Sequence, residues 1–167
     1  MVKVYLSLGS NLGDRESNLA QATMALSVEA DIFNIKSSAY YTSEPLYNLK
    51  QPDFLNSVLK CDTTLKPFDF FDVTKKIEKM LGRIRIKKRN QPRIIDIDIL
   101  FFGISILETS ELTIPHPYFQ FRKFVLIPLA EIEPEFKVPK TGVPIKELII
   151  QCPDKTNVRV HYMKSQA

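Results

Sequence analysis

The sequence predicts a mixed α/β (α+β) fold: a ferredoxin-like β-α-β-β-α-β sandwich with a C-terminal extension of hairpin, helices and a closing strand. Three observations predict it. Near the start, Val2, Val4, Leu6 and Leu8 alternate with Lys3, Tyr5 and Ser7, the two-residue period of a half-buried strand. As far as Phe102, strand-like and helix-like segments follow one another in the split βαβ order, which lays both helices on one sheet face. No internal repeat and no low-complexity linker divides the 167 residues, so residues 1–167 read as a single domain.

The elements follow in order. After the first strand, Gly9-Ser10-Asn11-Leu12-Gly13 reads as a tight turn, since its two glycines lack the spacing of a dinucleotide fingerprint. Asp14 can cap a helix over 15–29, with Leu19, Ala22, Met24, Ala25 and Leu26 as its apolar positions. A second strand is expected from Ile35 to Thr42, and the segment from Ser43 to Pro52, with two prolines, reads as a long loop. The third strand runs from Phe54 to Thr63, and a helix opens at Pro67 and stops at Gly82. A fourth strand covers Ile94 to Phe102. In the extension we expect a hairpin around Gly103, a loop through Pro115-His116-Pro117, helices over Phe124–Ile132 and Ile145–Ile150, and a closing strand over Val158–Tyr162.

Composition narrows the classes of function. With 44% hydrophobic and 25% charged residues the chain is ordinary globular material, neither disordered nor fibrous. No apolar run approaches the roughly 18 residues of a membrane span. The opening Met1-Val2-Lys3-Val4-Tyr5 lacks a secretory stretch, so a soluble, cytoplasmic protein is expected. Cys61 and Cys152 stand far apart with no Cys-x-x-Cys, which suggests buried small residues rather than a disulfide framework or zinc site. The net charge of +4 is unevenly placed. Arg83, Arg85, Lys87, Lys88, Arg89 and Arg93 lie within one acid-free stretch, and without them 17 basic residues face 19 acidic ones. That stretch is either a solvated basic loop or the seat of an anionic ligand.

On the fourth strand Ile95, Ile97, Ile99 and Phe101 fall on one side, toward the helices, while Ile94, Asp96 and Asp98 fall on the other. The two carboxylates are then about 6–7 Å apart along the strand. They are either solvated on an exposed face or held by a hard divalent cation that supplies the missing counter-charge. Without a cation they repel, so removing them should not destabilise the chain. Arginines within ten residues of the pair favour a phosphate site and phosphoryl or pyrophosphoryl transfer. The P-loop and protein-kinase motifs are absent, so any nucleotide needs a different scaffold. On the third strand Phe54 and Asn56 share the aspartates' side if Leu55, Leu59 and Cys61 face the helices. An aromatic plane beside an amide suits a flat heterocycle, although a core Phe and a capping Asn are equally ordinary. His116, between two prolines, is either structural or aimed at a phosphate.

Six separated segments in one order carry a resemblance: Leu8-Gly9-Ser10-Asn11-Leu12-Gly13-Asp14-Arg15, Gln51-Pro52-Asp53-Phe54-Leu55-Asn56, Ile77-Glu78 with Leu81-Gly82-Arg83, Pro92-Arg93-Ile94-Ile95-Asp96-Ile97-Asp98, Leu112-Thr113-Ile114-Pro115-His116-Pro117, and Arg122-Lys123-Phe124-Val125-Leu126. With them the chain resembles the 6-hydroxymethyl-7,8-dihydropterin pyrophosphokinases over almost its whole length. The resemblance implies transfer of the β,γ-diphosphate of ATP to the pterin hydroxymethyl group in folate biosynthesis, with release of AMP and two Mg2+ ions held by Asp96 and Asp98. It implies that Arg83 and Arg93 stabilise the transferring diphosphate, and that Glu78, Arg85, Arg89, Ile99, Thr113, His116, Tyr118 and Arg122 contact ATP. It further implies a pterin slot of Phe54, Asn56 and Phe124, with main-chain groups near Ser43 and Leu46 reading its edge, and loops 9–15, 44–53 and 83–93 closing over the substrates. The expected partners are these small molecules, with no nucleic acid and no membrane, and the expected state is a monomer.

The chain departs from the resemblance at three positions. Gln91 precedes the Pro-Arg pair where Gly or Ala is usual, Asn90 stands where an aromatic is often found, and Lys75 replaces a polar uncharged residue. Two other classes fit the element order. An RNA-recognition module would carry a basic-glycine-aromatic motif that is missing here, and its phosphates would meet two acids on the fourth strand. A ligand-binding regulatory domain would release no AMP.

Overall fold

The computed structural model describes residues 1–83 and 91–163. Strand β1 (Val2–Ser10) forms where the alternation predicts it and lies between β4 (Phe54–Thr63) and β5 (Asp96–Phe102), antiparallel to both. Helix α1 (Arg15–Ser27) starts behind Asp14, whose side chain accepts the Ser17 N–H at 3.0 Å and satisfies one of the donors a helix start leaves open. Helix α2 (Pro67–Met80) begins with proline, whose fixed φ suits a first turn. Both helices cover one sheet face. Leu6, Leu8, Leu19, Leu26, Leu59, Phe70, Ile77 and Ile97 are buried together there.

The segment expected as one second strand is two. Strand β2 (Ile32–Ser37) starts earlier than predicted and pairs with β4, with a register shift between Phe33 and Lys36 and Asn34 at φ 53°. Strand β3 (Tyr41–Ser43) pairs with β4 further along, and Ser38 bridges the break through its N–H to the Val58 carbonyl at 2.9 Å and its hydroxyl to the Val58 N–H at 3.0 Å. An irregular pairing of this kind bends the strand so that its second half faces a new neighbour. That neighbour is the closing strand β8 (Val158–Val160), antiparallel to β3.

Strand β5 also departs from simple alternation. Leu6 pairs with Ile99 but Tyr5 pairs with Phe101, so Leu100 is an extra residue and the sides exchange beyond it. Phe101, expected with Ile95, Ile97 and Ile99 against the first two helices, therefore turns to the opposite face. There it packs on Phe119 and Phe136, with ring centroids 4.9 and 4.6 Å away. The extension covers this part of the second face with α3 (Lys123–Ile132) and α4 (Ile145–Gln151), burying Tyr5, Val58, Val125, Leu126, Leu129 and Ile145. The hairpin expected around Gly103 lies further on, as β6 (Leu107–Glu108) and β7 (Thr113–Ile114), its turn closed by Thr109 and Leu112. Among the described residues no helix is long and apolar enough to cross a membrane.

Candidate active site

The second sheet face is only partly covered, and its open end forms a cleft of about 370 Å³. Its floor follows from strand register. Gly9 on β1 pairs with Asp96 on one side and Asn56 on the other, and Ser7 pairs with Asp98. The central strand thus offers two small residues between a carboxylate side and an amide-aromatic side. A Cβ at Gly9 would lie 3.2 Å from the Asn56 Oδ1, so only glycine leaves that approach open.

On the carboxylate side, α2 ends in a pattern that aims Arg83. Gly82, at φ +91°, donates to the Lys79 carbonyl at 3.1 Å, and the Arg83 N–H donates to the Glu78 carbonyl at 3.0 Å. This pair closes the carbonyls that a helix end leaves open and turns the chain sharply beside its own last turn. The Arg83 guanidinium then reaches Glu78 and Asp96, at 2.5 Å each. Arg93 pairs with the other oxygen of Asp96. Glu78 is itself buried. It accepts the Ile97 N–H at 2.7 Å and meets Lys75 Nζ at 3.1 Å, so it joins α2 to β5 instead of lining the cleft.

The two aspartates stand in different fields. Burial pushes Asp96 up, but Arg93, Arg83 and Lys75 outweigh it and hold the carboxyl below its usual range. Asp98 is raised to about 7 by burial and by Asp96, with Lys75 and Arg122 opposing. Its ionic neighbour within 4 Å among the described residues is His116, whose Nε2 is 3.8 Å from Oδ2. Burial and Arg122 lower His116 to about 4, so the ring is neutral. Its Nδ1 accepts the Tyr118 N–H at 3.1 Å, which leaves the proton on Nε2, facing the aspartate side. For Arg83, burial works against the charge, but Asp96 and Glu78 prevail and raise its pKa.

On the other side Phe54, Asn56 and Phe124 line the cleft with Ser43 and Leu46. The Asn56 amide donates to the Ser43 Oγ at 2.9 Å and to the Tyr41 carbonyl at 3.4 Å, so β3 fixes its orientation. Each aromatic wall has a guanidinium beside it: Arg93 lies 6.0 Å from the Phe54 ring centre and Arg122 5.8 Å from that of Phe124. Arg122 also lies 5.5 Å from the Tyr118 ring, and its buried Nε has no hydrogen-bond partner among the described residues.

The structure thus brings Ser43, Leu46, Phe54, Asn56, Arg83, Arg93, Asp96, Asp98, His116, Tyr118, Arg122 and Phe124 to one cleft. Ile99 is buried against α1 and α2, and Thr113 lines a neighbouring hollow with Ile106 and Lys140. Arg85 and Arg89 lie outside the described residues. Ser7 also lines the cleft without having been singled out from the sequence, and Glu44 and Tyr47 line it from the loop 44–53 expected to close over the substrates, where neither is distinguished individually. Ser7 was readable, because it alternates with Leu6 and Leu8. Glu44 and Tyr47 sit in a loop with no period to place them. Among the described residues no third His, Cys, Asp or Glu joins the two aspartates in a metal-holding group.

The family model described as 7,8-dihydro-6-hydroxymethylpterin-pyrophosphokinase matches residues 5–134. The chain is 40% identical over 161 residues to the 2-amino-4-hydroxy-6-hydroxymethyldihydropteridine pyrophosphokinase of Bacillus subtilis, covering 96% of this chain and 91% of that protein. It is 35% identical to the protein of the same name from Haemophilus influenzae, covering 96% and 99%. Similarity to the folic acid synthesis protein FOL1 of Dictyostelium discoideum, at 39% identity, covers 93% of this chain but 23% of that longer protein. In fold, it matches the solved Plasmodium falciparum HPPK-DHPS, with a TM-score of 0.69 at 18% identity over 90% of this chain and 44% of that one.

Proposed function

The chain belongs to the 7,8-dihydro-6-hydroxymethylpterin-pyrophosphokinase family, and on that premise we propose that its cleft transfers the β,γ-diphosphate of ATP to the hydroxymethyl group of 6-hydroxymethyl-7,8-dihydropterin, a step of folate synthesis. The hydroxymethyl oxygen gives up its proton to solvent and bonds to the β-phosphorus as the bond from that phosphorus to the oxygen bridging it to the α-phosphorus breaks, so AMP leaves with that oxygen. One observation carries the reading. A pair of arginines converging on Asp96 shares a single cleft floor with Phe54 and Asn56, across the width of one strand.

The residues divide the work. Phe54 and Phe124 offer ring faces to a flat heterocycle, and Asn56, oriented by Ser43 and Tyr41, meets its edge. Arg83 and Arg93 lie where negative charge builds on the transferring group, and each carries planar donors that fit phosphate oxygens two at a time. Neutral His116, with its Nε2 proton, and Arg122, with a donor that has no partner among the described residues, line the same cleft and suit the nucleotide's phosphates. Tyr118 lines the same cleft, Glu78 serves from outside it by holding Arg83, and Ile99 and Thr113, in the core and in a neighbouring hollow, are proposed nucleotide contacts on the family resemblance alone. Arg85 and Arg89 belong to the same basic stretch of the sequence and are proposed nucleotide contacts on the family resemblance alone.

The donor set fits Mg2+. Two carboxylates line the cleft, Asp98 has no hydrogen-bonded cation among the described residues, and magnesium characteristically takes one or two protein carboxylates and completes its shell with phosphate oxygens and water. Asp96 and Asp98 would hold the ions, two by family resemblance, and bound there they neutralise diphosphate charge and orient it. We further propose that residues 1–167 act as one domain and as a monomer, on ATP and a reduced pterin in the cytoplasm.

The test incubates the protein with ATP, magnesium and 6-hydroxymethyl-7,8-dihydropterin and follows nucleotides. AMP with the pterin diphosphate is expected. ADP as the sole nucleotide product identifies an ordinary kinase, and no nucleotide turnover identifies a binding domain.

A further inference from the structure

Asn11 lies outside the set of residues lining the cleft, yet its backbone N–H and both polar atoms of its side-chain amide are engaged. It sits just beyond the end of β1 and is 2% exposed. Its N–H donates to the Arg93 carbonyl at 3.1 Å, and its Oδ1 accepts the Arg93 N–H at 2.9 Å. Its Nδ2 donates to the Gln51 Oε1 at 3.1 Å and to the Pro52 carbonyl at 3.3 Å. One residue therefore grips both backbone polar groups of Arg93, the carbonyl through its own N–H and the N–H through its side chain, while its amide also holds the end of the loop that leads into Phe54.

The consequence is geometric. Arg93 precedes β5 by three residues, outside the ladder that fixes Asp96 against Gly9. The two bonds to Asn11 replace that ladder at Arg93 and set the backbone from which its guanidinium reaches Asp96. The bonds to Gln51 and Pro52 set the entry of β4, which carries Phe54 and Asn56. Asn11 is itself held by its surroundings: Asn18 on α1 donates to the Ser10 Oγ at 3.1 Å and to the Leu12 carbonyl at 2.9 Å, and Arg15 donates to the Asp53 carbonyl at 2.7 Å. The turn at 9–13 is thus anchored to a rigid helix and transmits that rigidity outward.

We propose that Asn11 is a positioning residue for diphosphate transfer: it holds Arg93 on the phosphate side and the Phe54–Asn56 segment on the heterocycle side in one frame. The proposal rests on the transfer reading above. It touches no substrate. Its effect belongs to the alignment of the two halves, so it should act on turnover more than on the capture of either substrate.

The experiment compares the full wild-type chain with Asn11→Ala and Asn11→Asp, by steady-state kinetics of AMP release and by amide hydrogen exchange. Asn11→Asp keeps an acceptor for the Arg93 N–H and loses the donors to Gln51 and Pro52. In Asn11→Ala we expect kcat to fall by about 10–10²-fold, with both KM values within about threefold, because misplacement far from the reacting atoms costs rate in that range. Exchange at the Arg93 amide should quicken by about tenfold or more, while amides of Leu6 and Leu59 in the sheet keep their wild-type protection. Asn11→Asp should restore protection at Arg93 and recover part of kcat. An unchanged Arg93 amide, an unchanged kcat, or a loss carried by KM overturns the proposal. Loss of the fold in both variants also overturns it, by making Asn11 architectural. Wild-type protein that releases no AMP instead overturns the transfer reading, and the exchange comparison still reports whether Asn11 holds Arg93.

Discussion

At the scale of single residues, Asp96 and Asp98 show how identical side chains two positions apart acquire opposite energetics. From sequence, the pair reads as mutual repulsion whose removal is harmless. The structure corrects this for Asp96, whose two oxygens receive Arg83 and Arg93. Asp96→Asn takes the carboxylate from Arg93 and leaves Arg83 with Glu78 alone, and we expect about 1.5–3 kcal/mol of stability to be lost in metal-free protein, the range for hydrogen bonds to charged groups. Asp98 has His116 as its ionic neighbour within 4 Å among the described residues and stands partly buried beside a like charge, so Asp98→Asn should not lower the melting temperature. Both variants should be nearly inactive, since each removes a carboxylate expected to hold the cation. Thermal unfolding without magnesium checks the contrast, and equal melting shifts would show that the arginines do not distinguish the two. Gly9 makes a second expectation. Gly9→Ala places a Cβ 3.2 Å from the Asn56 Oδ1, and that oxygen cannot withdraw freely because the amide nitrogen is tied to β3. Overpacking of this kind costs about 1–3 kcal/mol. Calorimetry should find pterin affinity reduced about tenfold or more with ATP affinity unchanged, and equal losses for both ligands would place the strain elsewhere.

At the scale of elements, regular periods were readable in the sequence and interruptions of them were not. The Asp14 cap, the Pro67 start and the Gly82 stop each announce a helix end by local chemistry, and each stands where expected. Asp96, Asp98, Phe54 and Asn56 share one side of the sheet because β4 and β5 alternate faithfully through them. Beyond Ile99 one extra residue in β5 exchanges the sides, and nothing local to Leu100 marks it, because the register shift is created by pairing with β1. Division of the second strand at Ser38 has the same origin, since the partner β8 comes from more than a hundred residues later. The attachment of α3 is likewise a long-range matter: Glu133, just past its end, receives Lys60 of β4 at 2.5 Å and the Tyr5 hydroxyl of β1 at 3.3 Å. The Lys60 bond, opposed by slight burial, holds the Glu133 carboxyl below its usual range. A carboxyl lowered by folding contributes its stability above its unfolded pKa, and that contribution fades as pH falls through the folded value. Glu133→Gln should therefore cost at most about 1 kcal/mol at neutral pH, given its partial exposure, and nothing in strong acid. Urea unfolding at pH 7 and pH 3 checks this, and a deficit that persists undiminished at pH 3 would mean that packing rather than charge is lost.

Across the whole molecule, the sheet separates two tasks. One face carries the core under α1 and α2, and the other divides between the α3 layer and the open cleft. The cleft's own charges oppose one another before any ligand arrives. Arg83 and Arg93, needed for phosphate, are engaged by Asp96, and Asp96, needed for a cation, is engaged by the arginines. Neither substrate class alone resolves this arrangement. A phosphate chain without magnesium draws the arginines away but leaves two carboxylates beside it, and magnesium without phosphate frees Asp96 only by displacing two cations from a partly buried site. Nucleotide and magnesium together satisfy both groups at once. The heterocycle makes no comparable exchange, yet its wall is tied to the same groups, since Arg93 stands beside Phe54 and Arg122 beside Phe124. Rearranging the arginines therefore resets the slot in which the pterin binds. Binding should be strongly coupled, with the magnesium nucleotide favouring the pterin, and reciprocity requires that the pterin favour the nucleotide by the same factor. For a coupling of about 1–3 kcal/mol that factor is about 5–150. Titration of the pterin by calorimetry, with and without magnesium and a non-hydrolysable ATP analogue, measures it directly. The analogue without magnesium should produce much less of the effect, and equal pterin affinity in all three conditions would show that the two halves of the cleft bind independently.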